Sequence, residues 1–268
     1  MATNYDKDKL FATVVGAAVG DAVGVPYEFK TRDTFLCEDM VGYGTHHQPA
    51  GTWSDDTAMM LATADSIRRC DGAINTKDIQ QAFLDWFNDG AYTPDGVVFD
   101  YGLTVSEALN KGRGCEGEFS NGNGSLMRIA PLAFTDATDD EIRQVSAITH
   151  AHEISCETCV RFVHLLREAA KDPAKVKAEL ANRFRDTKRS DIDSGGFVLA
   201  TEKAALWCFA TTDSYRDCIL AAVNLGRDTD TTACVAGALA GLAYGIEGMP
   251  ESWVSAMRGM DVLESCLF

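Results

Sequence analysis

Two short acidic clusters, far apart in the chain, carry the side chains most able to do chemistry. The first cluster is Ser54-Asp55-Asp56-Thr57 and the second is Asp228-Thr229-Asp230-Thr231. Bringing four carboxylates together is unfavourable unless a positive charge neutralises them. Carboxylate and hydroxyl oxygens are the ligands that Mg²⁺, Mn²⁺ or Ca²⁺ prefer. The sequence therefore predicts a two-part metal site that closes only when the chain folds.

The first cluster has the pattern of a helix start. Ser54 is a good N-cap for a helix that runs to about Arg69, which places Asp55 and Asp56 in the first turn. The helix dipole favours negative charge there, so a plain acidic helix start is one interpretation. However, two adjacent aspartates exceed what a cap needs, and both can point outward at one ion.

The second cluster leads into a helix of small residues, Ala233 to Tyr244. In the turn before that helix, Asp228 and Asp230 can converge, and Thr231 can add a hydroxyl. A capping turn is again the alternative interpretation. Two such starts together favour a shared site, and oxygen-only ligands favour Mg²⁺ or Mn²⁺ over zinc. Two ions about 4 Å apart would suit this many carboxylates.

A loop rich in glycine and asparagine, 121–128, could bind phosphate. Its backbone amides, followed by a helix N-terminus, would suit a phosphate or diphosphate. It is neither a Walker loop nor a dinucleotide fingerprint, because no Gly-Lys-Ser/Thr follows it and no strand precedes it.

His150 and His152 are two residues apart and would not share a helix face, so we do not expect a histidine metal site. Contact of one of them with a ligand and a capping or core role both remain open. No Gly-x-Ser-x-Gly elbow or readable Cys/His motif occurs, so covalent nucleophilic catalysis is not expected.

The elements that must position these residues are predicted to be almost wholly α-helical. Apolar residues follow helical spacing in several runs, and Val97-Val98-Phe99 is the one short strand-like patch. Glycines recur every four residues in two helices, which favours close helix packing. If the two stripes pack together, Glu28 and both acidic clusters could converge. The stripes are Gly16, Gly20 and Gly24, and Gly237, Gly241 and Gly245. We expect a single compact multi-helix domain, residues 1–268, with a binuclear metal centre at helix N-termini.

Composition narrows the class of protein. The net charge is −16 over 268 residues, so a nucleic-acid-coating role or attraction to anionic lipid is not expected. Nine scattered cysteines favour a reduced protein over a disulfide scaffold. The start lacks a signal-peptide pattern, and the apolar run Phe11 to Val25 contains Asp21 and looks too short to cross a bilayer. The expectation is a cytoplasmic protein without a membrane segment, and a monomer is favoured.

Several blocks in this order resemble the ADP-ribosylglycohydrolase family. The matching blocks run from about residue 10 to 245. The two acidic ones are the most specific. The blocks are Gly20–Phe29, Trp53–Met59, Phe99–Gly102, Asn123–Arg128, Thr149-His150, Gly196–Val198 and Gly226–Thr231.

This resemblance implies an all-α fold around two Mg²⁺ or Mn²⁺ ions. It also implies which residues bind the metal ions and which contact the substrate. The implied metal ligands are Ser54, Asp55, Asp56, Asp228, Asp230 and Thr231. The implied catalytic carboxylates are Glu28 and Asp100. The implied contacts to the diphosphate and distal ribose are Asn123, Gly124, Ser125, Met127 and His150, and Phe197 would stack on part of the nucleotide.

The sequence also departs from the family pattern. Ser54 replaces the commoner threonine and keeps the hydroxyl. Arg227 replaces a glycine and could pair with Asp228 or reach the diphosphate. Leu103 replaces a polar residue and weakens the alignment at Asp100.

The implied reaction is removal of ADP-ribose from a modified protein side chain. An N-glycosidic ADP-ribosyl-arginine link is preferred, and an O-glycosidic ADP-ribosyl-serine link is the alternative. A non-catalytic ADP-ribose-binding module and a metal nucleotide phosphohydrolase also remain open. The expected partners are an ADP-ribosylated protein and ADP-ribose.

Overall fold

The computed structural model describes residues 6–268, and within them the fold is all-α, as expected. Twelve α-helices are joined by short 3₁₀ turns and loops, and no β-strand occurs among these residues. The predicted strand-like patch Val97-Val98-Phe99 is wrong, because these residues lie in an irregular loop. The helices are α1 Lys7–Gly24, α2 Asp55–Arg69, α3 Thr76–Asp89, α4 Leu103–Lys111, α5 Asp139–Ala147, α6 Glu153–Lys171, α7 Pro173–Arg183, α8 Val198–Thr211, α9 Tyr215–Val223, α10 Thr229–Tyr244, α11 Glu251–Ala256 and α12 Met260–Cys266.

The two acidic clusters lie at the starts of α2 and α10. Helix α2 has the predicted limits, and Ser54 caps it by accepting a hydrogen bond from the Asp56 backbone N–H. Helix α10 begins at Thr229, earlier than the predicted Ala233, so Asp230 lies inside its first turn. The earlier start follows from a sharp turn at Gly226 and Arg227, which both have positive φ and lead the chain directly from α9 into α10.

The two glycine stripes do pack against each other, in the contact between α1 and α10. A Cβ added at Gly16 would lie 2.5 Å from the Gly237 carbonyl oxygen and 2.8 Å from the Gly241 Cα, and one at Gly24 would lie 2.4 Å from the Asp230 Cα. Only glycine allows backbones to approach this closely. The close contact places the end of α1 directly against the start of α10, so Glu28, just after α1, is brought to the acidic clusters.

We expect Gly24→Ala to destabilise the protein by about 1–3 kcal/mol, because the added methyl group must push α10 away from α1. Chemical unfolding measures the change. Gly117→Ala is the matched control, because a Cβ there would meet only the Ser120 hydroxyl, at 3.5 Å. Equal stability of the two variants would show that the helices can separate without cost.

Helix α1 is more apolar and longer than the sequence suggested. Together with the following 3₁₀ turn, Lys7–Tyr27 is long and apolar enough to cross a membrane by length and composition, with a mean hydropathy of 1.5. This helical segment extends beyond the apolar run Phe11 to Val25 at both ends, so it is longer than the run on which the expectation was based. Of its most apolar stretch, 89% is buried inside the protein. Its apolar surface packs in the core, chiefly against α10.

Candidate active site

The two acidic clusters meet in space. One carboxylate oxygen each from Asp21, Asp56 and Asp230 lie within 4.8 Å of one another. The hydroxyls of Ser54 and Thr231 both donate to Asp56 Oδ2, at 3.0 and 3.2 Å. One hydroxyl from each cluster thus binds the same oxygen of Asp56, so the two clusters form a single acidic centre.

Asp21 belongs to this centre, although the sequence analysis gave it no role. Its carboxylate accepts hydrogen bonds from the Ser54 and Thr57 backbone N–H groups and from the Thr57 hydroxyl, at 2.6–3.1 Å. Burial raises the pKa of Asp21 to about 6, against the lowering effect of these hydrogen bonds. Asp21 therefore fixes the start of α2 on α1. The available signal was a lone carboxylate inside a glycine-spaced apolar helix.

The acidic centre has the free oxygen atoms that a cation needs. Asp56 Oδ1, Asp228 Oδ1 and Asp230 Oδ2 are buried and have no hydrogen-bond partner within residues 6–268. Such orphaned polar atoms are costly unless an ion or water satisfies them. Burial first, and neighbouring carboxylates second, raise the pKa values of Asp55, Asp56 and Asp230 well above the usual range. A divalent cation would supply both the missing partner and the missing positive charge, so these residues fit one.

The raised pKa values predict that cation binding releases protons. A carboxyl group whose pKa is raised keeps its proton to a higher pH and must lose that proton to ligate a metal, so the metal affinity should rise as the pH rises. Titration calorimetry with Mg²⁺ or Mn²⁺, repeated in buffers of different ionisation enthalpy, should show a net release of protons. An enthalpy that does not depend on the buffer would contradict the inferred protonation of the cation-free centre.

Glu28 and His46 form a hydrogen-bonded pair beside the acidic centre. Glu28 Oε2 contacts His46 Nε2, and both groups lie near Asp100 and Asp230. Burial, together with the charges of Asp100 and Asp228, raises the pKa of Glu28 to about 7. The hydrogen bond to Glu28 raises the pKa of His46. The pair can therefore hold a proton near neutral pH. Sequence reasoning missed His46, because nothing along the chain links it to Glu28.

A cavity of about 470 Å³ opens onto this centre. It brings together predicted residues of three kinds: the acidic clusters, the catalytic candidates and the glycine-rich loop. Ser54, Asp56, Asp230, Ser125 and Phe197 are not among its lining residues. The predicted residues that line it are Glu28, Asp55, Asp100, Asn123, Gly124, Met127, His150, Asp228 and Thr231.

The loop 121–128 lies across one side of this cavity and is tied to the second acidic cluster. The Asn123 amide donates to Asp228 Oδ2 and to the Thr201 hydroxyl, at 2.8 and 2.9 Å. The Ser125 hydroxyl faces the core, where it accepts from Ser146 and lies 3.4 Å from the Cys159 sulfur. The predicted helix after this loop is wrong. Turns and a 3₁₀ helix, Ala130–Phe134, follow instead.

His150 is a neutral wall of the cavity. Burial, with a smaller effect of the Arg128 charge, lowers the pKa of His150 to about 3. Its Nδ1 atom is 2.8 Å from the Thr149 hydroxyl, and a Cβ added at Gly124 would lie 2.9 Å from its ring. Gly124 is therefore required for the loop to pack on this imidazole.

Arg128 lies fully buried beneath the same loop, and the sequence analysis gave it no role of its own. Its guanidinium donates to the carbonyls of Gly124 and Val145 and lies 4.6 Å from the centre of the Phe83 ring. Burial lowers the pKa of Arg128 to about 10, which leaves it charged at neutral pH. A fixed positive charge thus lies behind the loop amides.

Arg227 does not make the expected pair with Asp228, and Phe197 lies outside the main cavity. Arg227 has a positive φ, and its side chain pairs on the surface with Asp193, at 2.8 Å, and not with Asp228. Phe197 precedes α8 and lines a second depression with Phe119, next to the main cavity. The two depressions share Gly122 and Gly196.

Comparison with known proteins gives the class of this enzyme. The family model for ADP-ribosylglycohydrolase matches residues 2–267, and the chain belongs to that family. It is therefore a glycosidic-bond hydrolase, and the family resemblance seen in the sequence is confirmed.

Individual relatives narrow the comparison. The chain is 34% identical to "ADP-ribosylarginine hydrolase Tri1" of Pseudomonas putida, over 92% of this chain and 73% of that protein. It is 28% identical to "ADP-ribosyl-[dinitrogen reductase] glycohydrolase" of Rhodospirillum rubrum, over 93% and 90%. A solved structure titled "ADP-ribosylglycohydrolase-related protein complex" superposes with a TM-score of 0.79 at 27% identity, covering 97% of this chain and 96% of that one.

Proposed function

We propose that this protein hydrolyses the N-glycosidic bond between ADP-ribose and an arginine side chain of a modified protein, with bound Mg²⁺ or Mn²⁺. The observation that carries the proposal is the single acidic centre, formed from both clusters, that opens onto a cavity walled by loop amides. The names of the Pseudomonas and Rhodospirillum relatives, both ADP-ribose-removing hydrolases, support the substrate class.

The acidic centre is proposed to hold two cations. The chemistry that such cations supply is Lewis-acid polarisation and orientation of the ribose hydroxyls. Asp21 keeps the start of α2 in place, and Asn123 keeps Asp228 in place. The proposed ligands are Ser54, Asp55, Asp56, Asp228, Asp230 and Thr231.

The opposite wall is proposed to bind the ADP part of the substrate. Backbone amides of Gly122, Gly124 and Ser125, with the Arg128 charge behind them, would bind the diphosphate, whereas the Asn123 N–H already donates to the Gly196 carbonyl. Ser125 would contribute only its amide, because its hydroxyl faces the core. Neutral His150 and Met127 would contact the distal ribose. Phe197 would stack on the nucleobase in the neighbouring depression, where Phe119 also lies.

Glu28 is proposed as the group that moves the proton, with Asp100 as the second carboxylate of the cavity. The hydrogen bond to His46 orients the Glu28 carboxyl group, and a pKa near 7 suits proton transfer at neutral pH. Every residue assigned here comes from one chain, so we propose that a monomer is sufficient for activity.

Matched peptides that differ only in the modified residue test the linkage. We expect kcat/KM for the ADP-ribosyl-arginine peptide to exceed that for the ADP-ribosyl-serine peptide by at least about tenfold, since the carboxylate-lined cavity attracts a cationic leaving group. Mass spectrometry of the products measures both rates and identifies the bond broken.

Three other outcomes would each replace the proposal. Faster cleavage of the serine peptide would assign the O-glycosidic linkage. Tight ADP-ribose binding without cleavage of either peptide would indicate a binding module. Release of phosphate or AMP from ADP-ribose would indicate a nucleotide phosphohydrolase.

A further inference from the structure

Phe29 is an exposed aromatic residue at the acidic centre. It follows the buried Glu28 directly and lines the cavity, yet 70% of its surface is exposed. Large apolar side chains exposed beside a binding cavity are typical of surfaces that contact a ligand. The functions proposed above leave this ring without a role.

The backbone holds Phe29 in an uncommon conformation. Its φ is +65°, in the left-handed region that bulky residues rarely adopt. Its N–H donates to the Arg227 carbonyl at 2.6 Å, and the Arg227 N–H donates to the Lys30 carbonyl at 2.7 Å. Arg227 also has a positive φ, of +66°. Two reciprocal hydrogen bonds thus lock this segment to the turn before α10, and strained conformations held in this way cluster at functional sites.

Arg32 further ties the segment that carries Phe29 to the turn before α10. Its guanidinium donates to the carbonyls of Leu225, Arg189 and Ile192, at 2.5–2.9 Å. The segment that carries Phe29 is therefore fixed to the turn that carries Asp228, and the ring keeps a set position relative to the acidic centre.

The side chains around Phe29 differ from those around the loop 121–128, which we call the amide loop. Its ring lies 5.9 Å from the His46 ring, which lies 5.3 Å from the Phe99 ring. Glu28 and Asp100 place carboxylates beside this group. The amide loop instead packs on His150. An aromatic face beside carboxylates matches a planar organic cation, which stacks on the ring and is attracted by the negative charges.

We propose that Phe29 is the wall of the leaving-group subsite and stacks on the guanidinium of the arginine that is released. Phe29 is then a specificity-determining residue that favours a planar cationic leaving group over a hydroxyl. This inference rests on the proposed function. It adds a structural reason why the enzyme would cleave the arginine linkage in preference to the serine linkage.

The test compares Phe29→Leu, which keeps an apolar side chain, with Phe29→Trp, which keeps an aromatic face. Phe29→Leu should lower kcat/KM for the ADP-ribosyl-arginine peptide by about 3- to 30-fold, the range expected for loss of a cation–π contact. Binding of ADP-ribose, which lacks the arginine, should stay within twofold of wild type. Phe29→Trp should lose less of this kcat/KM than Phe29→Leu, because it keeps an aromatic face for the guanidinium. Tyr43→Leu is the matched control, because Tyr43 has a φ of +70° and is 65% exposed but does not line the cavity.

Each other result has a defined meaning. Unchanged arginine cleavage by Phe29→Leu, in a protein whose wild type is active, would overturn the role of Phe29 alone. An equal loss of ADP-ribose binding would overturn it too, by placing the ring in the nucleotide subsite. A wild-type protein inactive on the arginine peptide would overturn the proposed function, and this inference with it.

Discussion

Asp56→Asn and Asp230→Asn should each lower kcat/KM for the ADP-ribosyl-arginine peptide by more than about 100-fold. Loss of a group that merely orients a metal ligand already costs 10- to 100-fold in affinity or activity, so loss of a ligand should cost at least as much. Each substitution replaces a carboxylate that reaches the other acidic cluster and has an unsatisfied oxygen. The measurement is steady-state hydrolysis at saturating Mg²⁺ or Mn²⁺.

Thermal unfolding separates this effect from misfolding. Without added metal, both variants should be at least as stable as wild type, because asparagine cannot ionise and avoids the cost of burying an ionisable carboxyl group among others. The rise in Tm on adding metal should be lost, since that rise reports binding to the folded state. Asp140→Asn is the matched control, because Asp140 lies in the acidic but exposed start of α5. Full activity in either variant, or an unchanged metal-induced rise in Tm, would contradict the shared centre.

Glu28→Gln should lower kcat by about 10²- to 10⁴-fold, the usual contribution of a positioned acid or base. Glutamine can keep a hydrogen bond to His46 but cannot transfer the proton. Binding of ADP-ribose should therefore change little, and the loss should lie in kcat and not in KM. Single-turnover kinetics with the arginine peptide measures it.

Glu38→Gln serves as the control for Glu28→Gln, because Glu38 is exposed in the same segment of the chain. If kcat of Glu28→Gln stays within a few-fold of wild type, the residue that transfers the proton would be Asp100 or another carboxylate of the cavity. A rise in KM with kcat unchanged would instead make Glu28 a binding residue.

Local sequence signals predicted much of the fold and the outline of the site. Helix α2 has its predicted limits, because Ser54 is a strong N-cap. The glycine spacing predicted close helix packing, because spacing alone defines which residues share a helix face. The structure meets the condition that the two stripes pack together, which the sequence analysis had left open. The start of α10 was predicted too late, because small residues carry no boundary signal and the turn at Gly226 and Arg227 depends on tertiary hydrogen bonds.

The residues that were missed act through tertiary contacts that no local pattern encodes. Asp21, His46 and Arg128 each gain a role from a partner remote in the sequence or from burial of the chain. Phe29 looks ordinary in the sequence. Its exposure and its left-handed backbone follow from hydrogen bonds to a turn about 200 residues away in the chain.

Anomalous scattering from a crystal grown with Mn²⁺ and ADP-ribose tests the central claim most directly. The account predicts anomalous peaks within about 2–2.5 Å of carboxylate oxygens from both clusters, Asp56 and Asp230 among them, with the distal ribose beside them. Peaks bound by one cluster alone, or manganese found only away from the cavity, would contradict it.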